Sequence, residues 1–325
     1  MATQPAKRRW IVAVTAPVLL VLAFFAGPVH RIDETVMPTR VPSEPAALES
    51  YLAAAERRHP DIVPGAEKTI VWAHADRRKT PLAIVYLHGF SASRQEVAPL
   101  CDELGARLGA NVFYARLAGH GRNPRAMGEV QGNEWLQDAT DALAIGREIG
   151  ERVVLVGTST GGTLALWLAQ HDPQKIAALV LISPNLGPRG AGAELLAGPW
   201  GAQVLRAVVG TEHRWDPANP AQARYWNWQY PSTALLPMMA LVKIVRESPL
   251  ESITTPTLVL YSLEDQVVEP LETERAFARL GSRTKRLQVV NDSADRSNHV
   301  LAGDILAARD TARVREWIID FLEPR

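Results

Sequence analysis

Short, continuously apolar, β-rich runs recur along the chain at 69–74, 82–87, 111–116, 153–156, 178–182, 257–261 and 287–290. They do not alternate apolar with polar residues, as strands with one wet face do. They therefore read as strands buried on both faces. Between most of them lie helical stretches, notably at 94–108, 134–149, 163–171, 271–279 and 307–322. Buried strands separated by helices predict an α/β fold, with a mostly parallel sheet covered by helices on both faces.

One region breaks this rhythm. Residues 186–251 contain no good buried-strand run, yet they hold Trp200, Trp215, Trp226, Trp228, Tyr225 and Tyr230 together with the apolar stretch MMALVKIV. A segment this long and aromatic between two core strands predicts an inserted, mainly helical cap. Ligands of open α/β sheets sit beyond the carboxyl ends of the strands, where such an insertion emerges. The cap is thus expected to cover a substrate, with Trp226 and Trp228 as contact residues. The competing reading is a peripheral bundle whose tryptophans only pack.

The longest uncharged stretch is at the start, where Lys7, Arg8 and Arg9 precede residues 10–28. Its length is near the roughly 20 residues that span a bilayer and exceeds an ordinary signal-peptide core. This predicts an uncleaved single-pass anchor at 10–28. The basic segment 1–9 would stay cytoplasmic and the remainder would lie on the far side of the membrane. Cleavage near Ala26 or Gly27, releasing the domain, is the alternative. Residues 29–45, with prolines, charges and few apolar side chains, read as a linker. The folded domain is expected at 46–325.

Charge and cysteine content narrow the chemistry. The 35 basic and 35 acidic side chains cancel, so a nucleic-acid-binding role has no electrostatic footprint. The single cysteine, Cys101, can form no intramolecular disulfide and sits in a helical-looking run, where a small packing residue is expected. His30, His59, His74, His171 and His213 show no ligand spacing, so no metal and no cofactor is expected.

The stretch VVLVGTSTGG places Ser159 between Gly157 and Gly161, directly after a buried run and before the helical TLALWLAQ. In this GxSxG pattern small residues permit a sharp strand-to-helix turn that exposes a nucleophile, and the helix aims its N-terminal amides at the same spot. The plainer alternative is Ser159 or Thr160 as a helix cap. A serine nucleophile needs a base and an orienting acid. Candidates follow at later strand ends: Asp265 after TLVLY, with Glu264 beside it, and His299 in the polar loop after LQVV. His88 and His120 also qualify by residue type, but they precede the serine and suit loop-shaping roles better. Asp292 and Asp295 read as solvated loop residues.

The segments YLHGFSAS, RLAGHGRNP, EWLQDATDAL, VGTSTGG, SLEDQVV and SNHVL together resemble the α/β-hydrolase superfamily, near the bacterial carboxylesterases and monoacylglycerol lipases. They span nearly everything from Leu82 to His299 except the cap. The resemblance implies Ser159 as nucleophile, His299 as base, Asp265 as its orienting acid, and the backbone amides of Phe90 and Thr160 as an oxyanion hole. The Phe90 ring is expected to border the acyl pocket. Ala118, where many relatives have proline, and the threonines 158 and 160 depart from the pattern without removing a catalytic group. The expected function is hydrolysis of small-molecule esters, either uncharged acyl esters or monoacylglycerol-like lipids. Amide or peptide hydrolysis by the same triad, and a noncatalytic ligand-binding protein on this fold, are the alternatives.

Overall fold

The computed structural model describes residues 21–190 and 192–323. Its main sheet has seven strands: β1 (Thr69–Val71), β2 (Thr80–Leu87), β3 (Asn111–Tyr114), β4 (Gly150–Thr158), β5 (Ile176–Ile182), β8 (Thr257–Tyr261) and β9 (Lys285–Val289). A two-stranded ribbon, β6 (Glu212–Arg214) and β7 (Gln229–Pro231), lies within the cap. The sheet order is β1-β3-β2-β4-β5-β8-β9, and only β1 runs antiparallel to its neighbour.

Side chains of the central strands divide by parity between two cores, because successive Cβ atoms of a strand point to opposite faces. Ala83, Val85, Leu87, Val153, Leu155, Leu179 and Leu181 face one core, which also takes Leu136 and Leu143 from the helix Gly132–Ile149 and Leu164 and Leu168 from the helix Thr160–His171. Ile84, Tyr86, Val154, Val156, Val180 and Ile182 face the other, closed by Leu100 and Leu104 of the helix Leu100–Leu108 and Val314 and Ile318 of the helix Ala308–Leu322. Burial on both faces is why these strands read as continuous apolar runs. It also leaves the carboxyl ends of β2, β4, β5 and β8 as the open edge where loops of different strands meet.

The cap at 186–251 is helical in its larger part, with helices Gly201–Val208, Pro220–Tyr225 and Leu235–Glu247 joined by short 3-10 turns and the ribbon β6–β7. Leu235–Glu247 packs into the first core through Met238, Met239, Leu241 and Val242. Some expected elements are shorter: the run 69–74 forms a strand only over Thr69–Val71, and the expected helix 94–108 is divided into a 3-10 turn, Arg94–Glu96, and a helix beginning at Leu100.

The segment 29–45 is extended, as a linker would be, but it is fastened to the domain. Ile32, Val36 and Val41 pack against the first core. Glu34 accepts a hydrogen bond from the Trp167 indole at 2.8 Å, and the Met37 amide donates to Gln137 at 2.8 Å. Three of its apolar residues are thus used, while the Met37 side chain stays exposed. The greater part of the expected anchor, residues 10–20, lies outside the described residues. Residues 21–25 are helical with Val21, Leu22, Phe24 and Phe25 exposed, and the chain then meets the cap, where the Trp200 indole donates to the Phe24 carbonyl at 3.0 Å. Among the described residues no helix is long and apolar enough to cross a membrane.

Candidate active site

Ser159 joins β4 to the helix Thr160–His171 with φ 52° and ψ −118°, a conformation that L-residues adopt only when their surroundings enforce it. The turn is enforced by close packing: a Cβ on Gly161 would lie 1.9 Å from the Leu87 carbonyl oxygen, so only glycine lets the helix start against β2. The Ser159 side chain makes no capping hydrogen bond, which removes the plainer reading of this serine as a helix cap. Its amide is tied to the Ile182 carbonyl at 2.9 Å, and its own carbonyl accepts from Gly162, Thr163 and Asn185. The backbone is held on every side while the hydroxyl makes no hydrogen bond to another described residue.

Two unused donors flank that hydroxyl's turn. Neither the Phe90 amide, in the loop after β2, nor the Thr160 amide, first in its helix, donates to another described residue. Free backbone amides beside a buried residue are costly unless something else accepts from them. An oxyanion forming on a bound carbonyl is such an acceptor.

Asp265 and His299 come together from separate loops. The Asp265 carboxylate is 2.8 Å from His299 Nδ1 through one oxygen, while the other accepts the amides of Val267 and Val268 at 2.7 and 2.9 Å. Both oxygens are committed, so the carboxylate cannot rotate away. Glu264, the neighbouring candidate, is exposed and directs only its amide inward, to Ser262. Burial acts to lower the His299 pKa, but the charge and hydrogen bond of Asp265 leave it above the ordinary histidine value.

The other histidines of the site are fixed as neutral braces. His88, fully buried, uses Nδ1 on the Gly89 carbonyl at 2.9 Å and Nε2 on the Leu117 amide at 3.0 Å, and burial, then His120, holds its pKa well below the usual value. His120 bonds the Ala118 carbonyl through Nδ1, and burial brings its pKa to about 4. The Arg116 guanidinium, buried against Glu56 at 2.8 and 2.9 Å, steadies the same GHG loop. Cys101 is buried and its thiol pKa is pushed up by desolvation, so it is not a thiolate.

Asp295 departs from its expected solvated role. It is buried, and its carboxylate accepts the amides of His299 and Val300 at 3.1 and 2.9 Å and the Ser297 hydroxyl at 2.5 Å. Together with the Ser183 hydroxyl, which donates to the His299 carbonyl at 2.8 Å, it sets the backbone that carries the imidazole. A polar loop conceals such a residue in sequence, because its partners are turn amides rather than side chains.

Of the expected substrate contacts, Phe90 has its ring in an aromatic cluster, edge-on to Tyr230, His120 and Trp135 at centroid distances of 5.4, 5.7 and 5.9 Å. Trp226 packs with Ala92, from the loop after β2, and Val300, next to His299. Trp228 is half-buried, and its carbonyl accepts the Trp215 amide at 3.0 Å. A cavity of about 510 Å³ lies elsewhere, beside the GHG loop, with Glu56, Lys68, Arg116 and Asp138 among its walls and no member of the Ser159 site. Among the described residues no group of three or more histidine, cysteine, aspartate or glutamate side chains is disposed to hold a metal ion.

Comparison with known proteins places this geometry. The family model described as Hydrolase_4: Serine aminopeptidase, S33 matches residues 78–294. A thermostable monoacylglycerol lipase of Bacillus sp. (strain H-257) is 26% identical over 213 residues, covering 66% of this chain and 82% of that protein. Lipase LipV of Mycobacterium tuberculosis is 30% identical over 171 residues, covering 41% and 63%. Among solved structures, one from the metagenome-derived lipolytic enzymes LipS and LipT superposes with a TM-score of 0.65 at 24% identity over 80% of this chain and 98% of its own. The monoacylglycerol lipase of Paleococcus ferrophilus gives 0.59 at 20% identity over 78% and 99%. At these identities the superpositions establish the α/β-hydrolase fold.

Proposed function

The chain belongs to the serine aminopeptidase S33 family, Hydrolase_4, and is a lipase- or esterase-type α/β-hydrolase; from that premise we propose that it cleaves carboxylic esters through an acyl-enzyme on Ser159. The observation that carries the proposal is the combination of a serine held at positive φ without a capping bond, two undonated amides, Thr160 on its own turn and Phe90 on the loop after β2, and an Asp265–His299 pair at 2.8 Å.

In this mechanism the Ser159 hydroxyl oxygen attacks the ester carbonyl while its proton passes to His299 Nε2, and the Phe90 and Thr160 amides take up the charge forming on the carbonyl oxygen. Each such donor contributes about 3–4 kcal/mol to the transition state. Asp265 holds Nδ1–H and thereby the tautomer whose Nε2 can accept. Collapse breaks the bond to the alcohol, which leaves with the proton from His299. Water then repeats the sequence against the acyl group: its proton goes to His299, the serine oxygen departs and recovers that proton, and the acid is released.

The aromatic cap and the absence of net charge favour an uncharged acyl ester or a monoacylglycerol-like lipid as substrate, in keeping with the names of the lipase relatives. The basic residues at 7–9 before the apolar 10–28 favour an anchor that keeps the domain on the non-cytoplasmic side; membrane fractionation with an N-terminal epitope tests it, and a soluble species lacking the segment overturns it. The family description also names aminopeptidases, so the assay carries both substrate classes. Full-length protein is compared with Ser159→Ala on p-nitrophenyl esters from acetate to palmitate and on aminoacyl p-nitroanilides. Ester turnover that vanishes in the variant supports the proposal. Turnover of anilides alone assigns the triad to amides, and folded protein inactive on both sets overturns catalysis.

A further inference from the structure

Glu96 is a buried carboxyl group that the mechanism above does not use. It is 2% exposed, and among the described residues no lysine or arginine pairs with it. Its local fold is specific: Ser93 caps the 3-10 turn Arg94–Glu96 by accepting the Gln95 amide, which curls the chain back toward the loop after β2. The carboxyl oxygens then accept the Gly89 amide at 2.8 and 3.1 Å. Gly89 is the residue before Phe90, whose own amide is free. The space is tight, because a Cβ on Gly89 would lie 2.8 Å from Glu96 Oε1 and 3.2 Å from Ser159 Cβ. One point beside the Gly89 backbone is therefore in contact range of both the nucleophile's side chain and this carboxyl group.

We propose that Glu96 is a positioning residue for the oxyanion-stabilising turn: by accepting the Gly89 amide it holds the backbone that presents the Phe90 amide to the substrate carbonyl. The inference rests on the esterase reading. The Gly89 N–H lies in the His88–Gly89 peptide plane and the Phe90 N–H in the next one, whose Gly89 carbonyl is held by His88 Nδ1 at 2.9 Å and by the Ala92 amide at 3.2 Å. With Glu96 anchoring the first plane, both planes that meet at the Gly89 Cα are fixed, and with them the direction in which the Phe90 N–H points. Such amides stabilise an oxyanion because they are already oriented when the charge appears. In the absence of Glu96 nothing else described accepts from Gly89.

The charge state of the group fits the role. Titratable groups that face it are the Tyr86 phenol from β2 and the His299 imidazole from the loop after β9, with Asp265 behind His299; Arg94, on its own turn, is directed instead over the Tyr114 ring. Burial raises the Glu96 pKa to about 8, opposed only in part by the Gly89 amide and His299. Near neutrality it is therefore mostly the uncharged acid, an acceptor that adds no negative charge next to a developing oxyanion. Above pH 8 it ionises, and a carboxylate there repels the oxyanion.

The test compares Glu96→Gln and Glu96→Ala with the full-length wild type, using p-nitrophenyl ester hydrolysis from pH 6 to 9.5 corrected for spontaneous cleavage. Glutamine keeps an acceptor oxygen and cannot ionise. It is expected to retain kcat within about threefold at pH 7 and to abolish the fall in kcat that the wild type shows as pH passes about 8. Alanine frees the Gly89 amide and is expected to lower kcat about 10–100-fold with KM changed less than threefold, since a small misplacement of catalytic groups has an effect of this order. A direct readout is the Gly89 amide resonance: with 13C-carbonyl histidine and 15N-glycine labels only His88–Gly89 and His120–Gly121 give signals, and the former is expected to titrate near pH 8 in the wild type and not in Glu96→Gln. An unimpaired alanine variant, a glutamine variant as slow as alanine, or a pH-insensitive Gly89 signal overturns the inference. If alanine does not fold, the glutamine profile and the Gly89 signal still decide. A wild type that turns over no ester overturns the esterase reading and this inference with it, whereas wild-type turnover with an unimpaired alanine variant overturns the inference alone.

Discussion

Replacing Asp295 with alanine tests whether the loop that carries His299 is built as described. The carboxylate is buried and accepts the amides of His299 and Val300 at 3.1 and 2.9 Å, besides the Ser297 hydroxyl. Removing it strands two buried backbone donors, besides the half-buried Ser297 amide that it also accepts at 3.2 Å. Each unsatisfied buried donor costs about 1–3 kcal/mol, so the variant is expected to lose about 2–6 kcal/mol of stability. For a domain of this size that corresponds to a fall in Tm of about 4–12 °C. Catalysis should fall as well, by about 10–100-fold in kcat, because the freed loop no longer fixes the imbalance between a productive and a displaced imidazole. The displacement is limited by Ser183, which still holds the His299 carbonyl at 2.8 Å. Asparagine keeps one acceptor oxygen and should recover part of both losses. The assays are thermal unfolding and steady-state ester kinetics on the same preparations. An alanine variant with wild-type Tm and kcat would refute the reasoning and return Asp295 to the status of a solvated loop residue.

Because Asp265 holds the His299 pKa above the ordinary value against the effect of burial, the acidic limb of kcat/KM should lie above about 6.5. The sign follows from the mechanism: His299 must lose its proton before it can accept that of Ser159, so activity rises with pH through this pKa. Asp265→Asn should move the limb to lower pH and reduce kcat by about a thousandfold or more, as read in a pH–rate profile. Gly161→Ala should cost about 3 kcal/mol or more in denaturant unfolding, because the added methyl meets a fixed backbone carbonyl at 1.9 Å. Ile32→Ala, which uncovers part of the first core, should cost about 1–2 kcal/mol by the same measurement while leaving kcat unchanged.

Much of this architecture is legible from residue patterns. Strands such as β4 and β5 are buried on both faces, so they announce themselves as unbroken apolar runs, and the glycines around Ser159 mark a turn that only small residues permit. The ribbon β6–β7 is not legible, since EHR and QYP are three residues each with neither alternation nor an apolar run. The segment 29–45 reads as a linker because its prolines and charges outnumber the apolar residues, although Ile32, Val36 and Val41 are enough to seat it. Asp295 and Glu96 are hidden for a common reason. Their partners are backbone amides brought near by folding, and an acidic residue in a polar loop or a helical run looks like solvated surface. The signal nearest to revealing Glu96 is Ser93, a capping residue directly before the expected helix, which starts the short turn that carries Glu96.

The central claim is that Ser159 becomes covalently acylated. The most direct measurement is intact-mass and peptide-mapping analysis of full-length protein quenched during turnover of a p-nitrophenyl ester, with Ser159→Ala treated in parallel. The account predicts a burst of p-nitrophenol, a mass increase equal to one acyl group located on the peptide containing Ser159, and neither signal in the variant. Ester hydrolysis that persists in Ser159→Ala, or an acyl group located on another residue, would contradict it.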